Sequence, residues 1–268
     1  MAVPDISTVA ELPPFKGLCA NEIASMLAEA RRISYPKGSE IFEQEEEARS
    51  FFVLLSGRLR LVRLTAAGQQ VVVNYVAPGD IFGIGKMIGL PTYPATATAV
   101  IDSVALSWAS SAWPALATRF PSLAFAALRS IGARLQDLQT RVVELATEEV
   151  ERRVAHALLR LAKQAGRRSE TGIEIDFPIS RQDIAEMTGT TLHTVSRIVS
   201  GWECRGLVDS GRQRIVIKNA HKLFVLAEYG GSSSASGTPA PFVAAASPRR
   251  SKKEASSASC ALQASATV

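Results

Sequence analysis

The sequence predicts an α+β chain. An N-terminal antiparallel barrel or double-sheet jelly roll comes first, then a long helix, then a C-terminal winged helix-turn-helix. Between Arg32 and Ser107, short β-rich runs alternate with turn residues. From Leu128 to Leu145, apolar residues recur at alternating steps of three and four. From Arg181 to Gly201, RQDIAEMTGTTLHTVSRIVSG has the pattern of two helices joined by a tight turn.

Residues 1–14 read as a flexible arm, and the sheet domain is expected over 15–120. A short helix is expected over Asn21–Ala30, with Ile23, Leu27 and Ala30 on one side. YPKGSEIFEQ turns at Pro36 and Gly38 before Ile41-Phe42. FFVLLSGRLRLVRL reads as two strands broken at Ser56-Gly57, and in the second Leu59 and Leu61 alternate with Arg58 and Arg60. AAGQQVVVNYVAPGD turns at Gly68, runs through Val71–Val76 and turns again at Pro78-Gly79. TATAVIDSVALSW reads as the last strand pair.

Residues 121–147 read as one long helix. Leu128, Ile131, Leu135, Leu138, Val142 and Leu145 form an a/d heptad seam on it. A narrow apolar stripe between two domains suits pairing with a second copy of the chain. Packing on the chain's own barrel is the alternative, and both can hold if Phe125 and other off-seam residues touch the barrel. EEVERRVAHALLRLAKQAG begins another helix, acidic at its start and basic at its end as the helix dipole prefers, and stops at Gly166.

The C-terminal domain is expected over 148–229. In the first helix of the motif Ile184 and Ala185 face inward, Ala185 being small enough for a close helix crossing. Gly189 supplies the turn residue that tolerates positive φ. Val195 and Ile198, three apart on the second helix, share a face that can pack on Ile184. Thr191 is placed to cap the second helix. Ser180 is placed to cap the first, with Asp183 closing a capping box in place of the usual Glu or Gln. Gly206 stands at the end of the second helix. DSGRQRIVIKN then reads as a hairpin turning at Ser210-Gly211, and GIEIDFPIS as a further strand with Ile173, Ile175 and Phe177 alternating. Strands flanking the motif make a winged helix.

Thr191, His193, Thr194, Ser196 and Arg197 remain on exposed or partly exposed faces of the second helix. Such side chains suit a DNA major groove, where Arg pairs with guanine and hydroxyls reach phosphates. Arg197 is the prime candidate for a bidentate guanine contact; a phosphate contact or a salt bridge to Glu203 is the alternative. Ser196 and His193 are base-contact candidates, or plain helix surface. Arg181, and Arg212 and Arg214 in the wing, are placed to meet phosphates or to remain solvated.

From residue 230 the chain is rich in Ser, Ala, Gly and Pro, and it reads as a disordered tail. Arg249, Arg250, Lys252 and Lys253 against Glu254 give that tail +3 of the chain's +5, so the rest of the chain is close to neutral and bulk charge says little about nucleic acid. No apolar run reaches the ~18 residues of a membrane span. The N-terminus lacks the basic start and apolar core of a secretory signal. Cys19, Cys204 and Cys260 are too scattered for a disulfide framework or a metal knuckle, which fits a reducing cytoplasm. Cys204 is read as a passive, partly buried thiol rather than a redox sensor. The only histidines, His156, His193 and His221, lie outside the barrel, so a metal-dependent jelly-roll enzyme of the cupin type is excluded and no metal site is expected. His156 beside Leu158 and Leu159 reads as a structural histidine; haem ligation is the unsupported alternative.

A jelly roll, a long helix and a winged helix in that order resemble the Crp/Fnr family of bacterial transcription regulators over residues 15–228. The most specific segments are FFVLLSGRLRLV, APGDIFG and ISRQDIAEMTGTTLHTVSRIVSGWECRGLV. The resemblance implies a cyclic-nucleotide-binding-like barrel and a homodimer on two-fold symmetric DNA. It also implies half-sites about one helical turn apart, of the TTG-N8-CAA type, and RNA polymerase as a partner. It places Ser196 and Arg197 at the family's reading positions and His193 where many members have Glu. The departures bear on the ligand. Cyclic-AMP-responsive members hold the ribose with a Glu after the FG of the PGD turn, where this chain has Ile84. They hold the phosphate with an Arg-Ser pair, and there is no Arg between Met87 and Trp108 here. A buried phosphate without a cation is costly, so cyclic AMP is not expected. Oxygen-sensing members need an N-terminal cysteine cluster. Cys19 alone does not provide it, so no iron–sulfur centre is expected. FGIG…TYPATATA with LHTVSR is similar to the NnrR-like branch, which controls nitrite and nitric oxide reductase genes. A ligand-sensing module acting on a protein partner without DNA is the competing function.

Overall fold

The computed structural model describes residues 9–230, so the tail expected to be disordered lies, from 231 on, outside the described residues. The N-terminal part is a six-stranded antiparallel sheet in the order β1-β6-β3-β4, with β2 paired to β6 and β5 to β3. Its strands are β1 (Arg31–Tyr35), β2 (Glu40–Phe42), β3 (Ser50–Leu64), β4 (Gln70–Val76), β5 (Ile81–Phe82) and β6 (Thr96–Ala109). Helix α1 (Ala20–Ala28) precedes them, with Ile23 and Met26 as its buried residues and Leu27 only partly covered. The part of the expected arm that is described packs down. Val9 is fully buried in a cluster with Phe15, Ile23, Met26 and Trp108, because an apolar side chain gains more there than in water.

The two central strands are longer than the sequence suggests. FFVLLSGRLRLVRL, with Ser50 before it, is one strand of 15 residues, and TATAVIDSVALSWA is one of 14 rather than a pair. Gly57 does not end β3; it bulges it, with register shifts against β6 on both sides. Its φ of +96° and the 2.2 Å that would separate an added Cβ from Ser103 Oγ explain why glycine stands there. The sheet encloses a second cluster in which Phe42 stacks on Tyr93 with ring centroids 3.9 Å apart and Phe52 on Phe82 at 5.0 Å.

A short helix α2 (Trp113–Arg119) leads into α3 (Pro121–Thr147) and α4 (Val150–Ala165). Helix α3 turns Leu123, Ala126 and Ala127 onto the barrel, with Ile131 partly covered. Arg134 donates to Ile81 O at 2.6 Å and Arg141 to Val73 O at 3.0 Å. Phe125, expected on the barrel, is instead 65% exposed, because the barrel-facing side of the helix is taken by Leu123 and by the smaller Ala126 and Ala127 that directly follow it. Leu128, Leu135, Leu138, Val142 and Leu145 are all exposed in the single chain. Below them, Asp137, Arg141, Glu144 and Arg160 form a charged cluster joining α3 to α4, Arg160 pairing with the buried Glu144.

The C-terminal part is a sheet in the order β7-β8-β10-β9 packed with α4, α5 (Arg181–Thr188), α6 (Leu192–Cys204) and α7 (Ala220–Tyr229). The strands are β7 (Gly166–Ser169), β8 (Gly172–Ile175), β9 (Val208–Gly211) and β10 (Arg214–Ile217). Strand β7 directly follows the helix end at Gly166, so GRRS is an unexpected edge strand. Phe177 lies beyond β8 and is buried against Tyr75 of β4, ring centroids 4.7 Å apart. This contact belongs to a shared core: Val62, Val72 and Tyr75 of the barrel lie in one cluster with Ile184, Ala185 and Trp202 of the helical part.

Candidate DNA-binding interface

The helix-turn-helix is built by local rules. Ser180 Oγ accepts from Asp183 N, and an Asp183 oxygen accepts from Ser180 N at 2.8 Å, which completes the capping box at the start of α5. Gly189 caps its end at φ +63°, and Thr190 N donates to Ala185 O as the chain turns. Thr191 Oγ1 accepts from Thr194 N at 3.2 Å to start α6, and the two hydroxyls lie 2.9 Å apart. The buried face of α6 is Val195, Val199 and Trp202, with Ile198 only partly covered. Val199 and Trp202 continue the four- and three-residue steps from Val195, so their signal was present in the sequence. Trp202 Nε1 donates to Glu151 Oε1 at 2.7 Å, fixing α6 on α4.

The opposite face of α6 presents His193 and Arg197, both exposed and one turn apart, with Ser196 half-buried beside them. Among the described residues, the Arg197 side chain makes no hydrogen bond or ion pair. Glu203, its sequence-level partner, is engaged elsewhere: Ser210 N and Oγ donate to it at 3.0 and 2.5 Å, and Arg181 Nη2 lies 3.5 Å away. Arg181 also donates to Ser210 Oγ at 2.7 Å, so these three side chains tie the first helix, the end of α6 and β9 together. The wing turns at Arg212-Gln213 rather than Ser210-Gly211, because Gln213 takes the positive φ (57°) while Ser210-Gly211 stay paired in β9. Arg212 is exposed at that tip and makes no side-chain pair among the described residues. Arg214 is held by Glu174 at 2.8 Å and Asp209 at 3.3 Å, and its hydrogen bond to Glu174 holds its guanidinium above the usual pKa. Cys204, expected to be partly buried, is exposed at the end of α6, where the helix face turns to solvent. His156 lies 3.4 Å from Glu148, next to the junction of α3 and α4.

Ile84, which follows Phe82-Gly83 after the PGD turn, is buried. Tyr93 is fixed inside the barrel, donating to Ser50 O at 2.7 Å and accepting from Ser50 N at 3.1 Å. Nearby, Asp80 of the PGD turn accepts from Ala77 N at 2.8 Å; burial raises its carboxyl above the ordinary value despite Arg134 and Arg58. Among the described residues, no cluster of His, Cys, Asp or Glu could hold a metal ion, and no helix is long and apolar enough to cross a membrane.

Comparison with known proteins places these parts together. Residues 32–119 match the cyclic nucleotide-binding domain family, and residues 152–225 the Crp-like helix-turn-helix domain family. The chain is 30% identical over 208 residues to the cyclic AMP receptor protein of Thermus thermophilus, covering 78% of this chain and 93% of the relative. The chain belongs to the Crp/Fnr family of DNA-binding transcription regulators. Another Crp/Fnr relative, the nitrogen fixation regulation protein FixK of Azorhizobium caulinodans, is 30% identical over 209 residues, 75% of this chain and 82% of FixK. The solved structure of FixK2 from Bradyrhizobium japonicum superposes with a TM-score of 0.64 at 26% identity, covering 77% of this chain and 99% of that one. Crp/Fnr relatives of the cyclic AMP, FixK and FnrA kinds match comparably, so the comparisons select no branch within the family.

Proposed function

We propose that the chain acts in the cytoplasm as a homodimer paired through Leu128, Ile131, Leu135, Leu138, Val142 and Leu145. Each protomer reads one half of a TTG-N8-CAA-like palindrome and works with RNA polymerase on genes of nitric oxide metabolism, denitrification or anaerobic respiration. The carrying observation is Arg197, an exposed guanidinium with no partner among the described residues, on the outer face of a well-capped α6. His193 stands one turn before it, and Thr191 and Thr194 at the helix start add hydroxyls within reach of phosphate. Ser196 is the second base-contact candidate. Arg212 at the wing tip is the phosphate contact best placed to act. Arg181 and Arg214 are already paired, and would contribute only their remaining N–H donors.

The boundaries follow the same reading, with a sensor domain over 15–120, a dimer helix over 121–147 and a reading head over 148–229. A relative is named a cyclic AMP receptor, but this chain has Ile84 after the FG of the PGD turn and no Arg between Met87 and Trp108 to meet a phosphate, and cyclic AMP is not assigned. Binding selection on random palindromes tests the reading. Selected sites should keep the guanine of the half-site with wild-type protein, and Arg197→Ala should cost about 1–3 kcal/mol per half-site on sites that keep it. Equal weakening on all sequences would reduce Arg197 to a phosphate contact. No gel shift at all would favour a module that acts on a protein partner.

A further inference from the structure

The polar face of β3 has no role in the reading above, and it touches the reading head. Arg60 pairs with Asp183, the same carboxylate that closes the capping box of α5. Arg58 lies over the Phe177 ring, 5.1 Å from its centroid, and Tyr75 packs on that ring from β4. Asp183 is 9% exposed, Phe177 5% and Tyr75 4%, while the Arg60 side chain keeps 30% of its surface in water, so the contact is half-buried, with its solvent side at Arg60. One oxygen of Asp183 therefore holds the start of the helix-turn-helix and the other holds the barrel. His193, Arg197 and Arg212 stay exposed in this arrangement, so the contact does not mask the reading surface.

We propose that Arg60 is a positioning residue for DNA reading: its pair with Asp183 latches the head to its own barrel, so that β3 sets the angle at which α6 is offered to a half-site. The proposal rests on the DNA-binding reading and adds to it what fixes the head. Strand β3 runs from its pairing with Ile81 beside the PGD turn, through the bulge at Gly57, to Arg60, so one strand joins the barrel end to the head. A two-fold site makes this measurable. Each base pair added between half-sites rotates one of them by about 34° and moves it by about 3.4 Å. A latched head tolerates little of that, whereas a loose head adapts.

The test measures affinity of the full-length protein for palindromes whose spacer is the selected length, one pair shorter or one pair longer. Wild type should prefer one spacer by roughly tenfold or more. Arg60→Met keeps the apolar stem and removes the charge; it should flatten that preference to within about threefold and weaken the best site, because fewer heads stand in the competent orientation. Arg60→Lys should restore much of it. Asp183→Asn retains an oxygen for the capping box, so it should flatten the preference as Arg60→Met does, and the double variant should flatten it no further. Thermal melting checks that each variant is folded. Sharp spacing in folded Arg60→Met, or tighter binding by it, overturns the latch. Relaxed spacing in Asp183→Asn alone assigns the effect to the helix cap and also overturns it. Failure of wild type to bind any spacer would overturn the DNA-binding reading instead.

Discussion

Leu135→Glu is the most direct probe of the seam, because the side chain it replaces is 55% exposed in the single chain. Complete burial of a Leu is worth ~1.5–3 kcal/mol, so covering the exposed half gains about 1 kcal/mol per copy, or ~2–3 kcal/mol for the two facing copies. Replacing both with Glu loses that gain and sets two carboxylates face to face in a closing apolar layer. The total cost is then at least about 3 kcal/mol, or roughly a hundredfold in the dimer dissociation constant. Sedimentation equilibrium over a concentration series reads this directly. The protomer should keep its stability to within about 0.5 kcal/mol, since the substitution sits on its surface. That second measurement separates a dimer contact from a folding contact. An unchanged dimer constant would move the interface off α3. A matching loss of protomer stability would show that Leu135 packs internally.

Gly57→Ala should destabilise the barrel by roughly 2–5 kcal/mol, from the positive φ and the overlap with Ser103, read as a fall in melting temperature; a neutral effect would mean the bulge relaxes freely. Asp80 should titrate above the ordinary carboxylate value, because burial outweighs its hydrogen bond and nearby arginines. With the folded pKa raised, ionising Asp80 costs stability, and that cost is absent below its unfolded pKa and fully felt above its folded one. A carboxyl-carbon NMR titration with a midpoint at or below the unfolded value would contradict this. Calorimetric titration with cyclic AMP should show no binding. A micromolar dissociation constant accompanied by enhanced DNA affinity would mean that the barrel accommodates the phosphate despite having no Arg between Met87 and Trp108.

The helix-turn-helix was legible in the sequence because everything that builds it is local. Ser180 reaches Asp183, Thr191 reaches Thr194, and Gly189 turns the chain where it stands. The long helix and its apolar stripe were legible for the same reason, since heptad spacing is a property of one helix. Strand continuity was not. Ser56-Gly57 has the composition of a turn, and only pairing with β6, more than 40 residues away, decides that it bulges instead. Phe125 failed for a related reason: its apolar character fits either face of α3, and the contact with the barrel went to small side chains that let the helix approach closely.

The arginines show where single-sequence reasoning stops. Arg181, Arg197, Arg212 and Arg214 all lie in polar surroundings near the motif, and composition treats them alike. Folding separates them by giving Glu203 to Arg181 and Glu174 to Arg214, while Arg197 and Arg212 make no side-chain pair among the described residues. A guanidinium already held by a carboxylate must give up part of that interaction to meet a phosphate, whereas an unpaired one gives up only water. The same sorting accounts for Arg60. Its alternation with Leu59 and Leu61 marks it as the outer face of a strand, and nothing in RLRLVR indicates that a carboxylate 123 residues further on will cover it. Helix position alone singles out Arg197, but that it stays unpaired among the described residues, and that Arg60 meets Asp183, become visible only once the chain is folded.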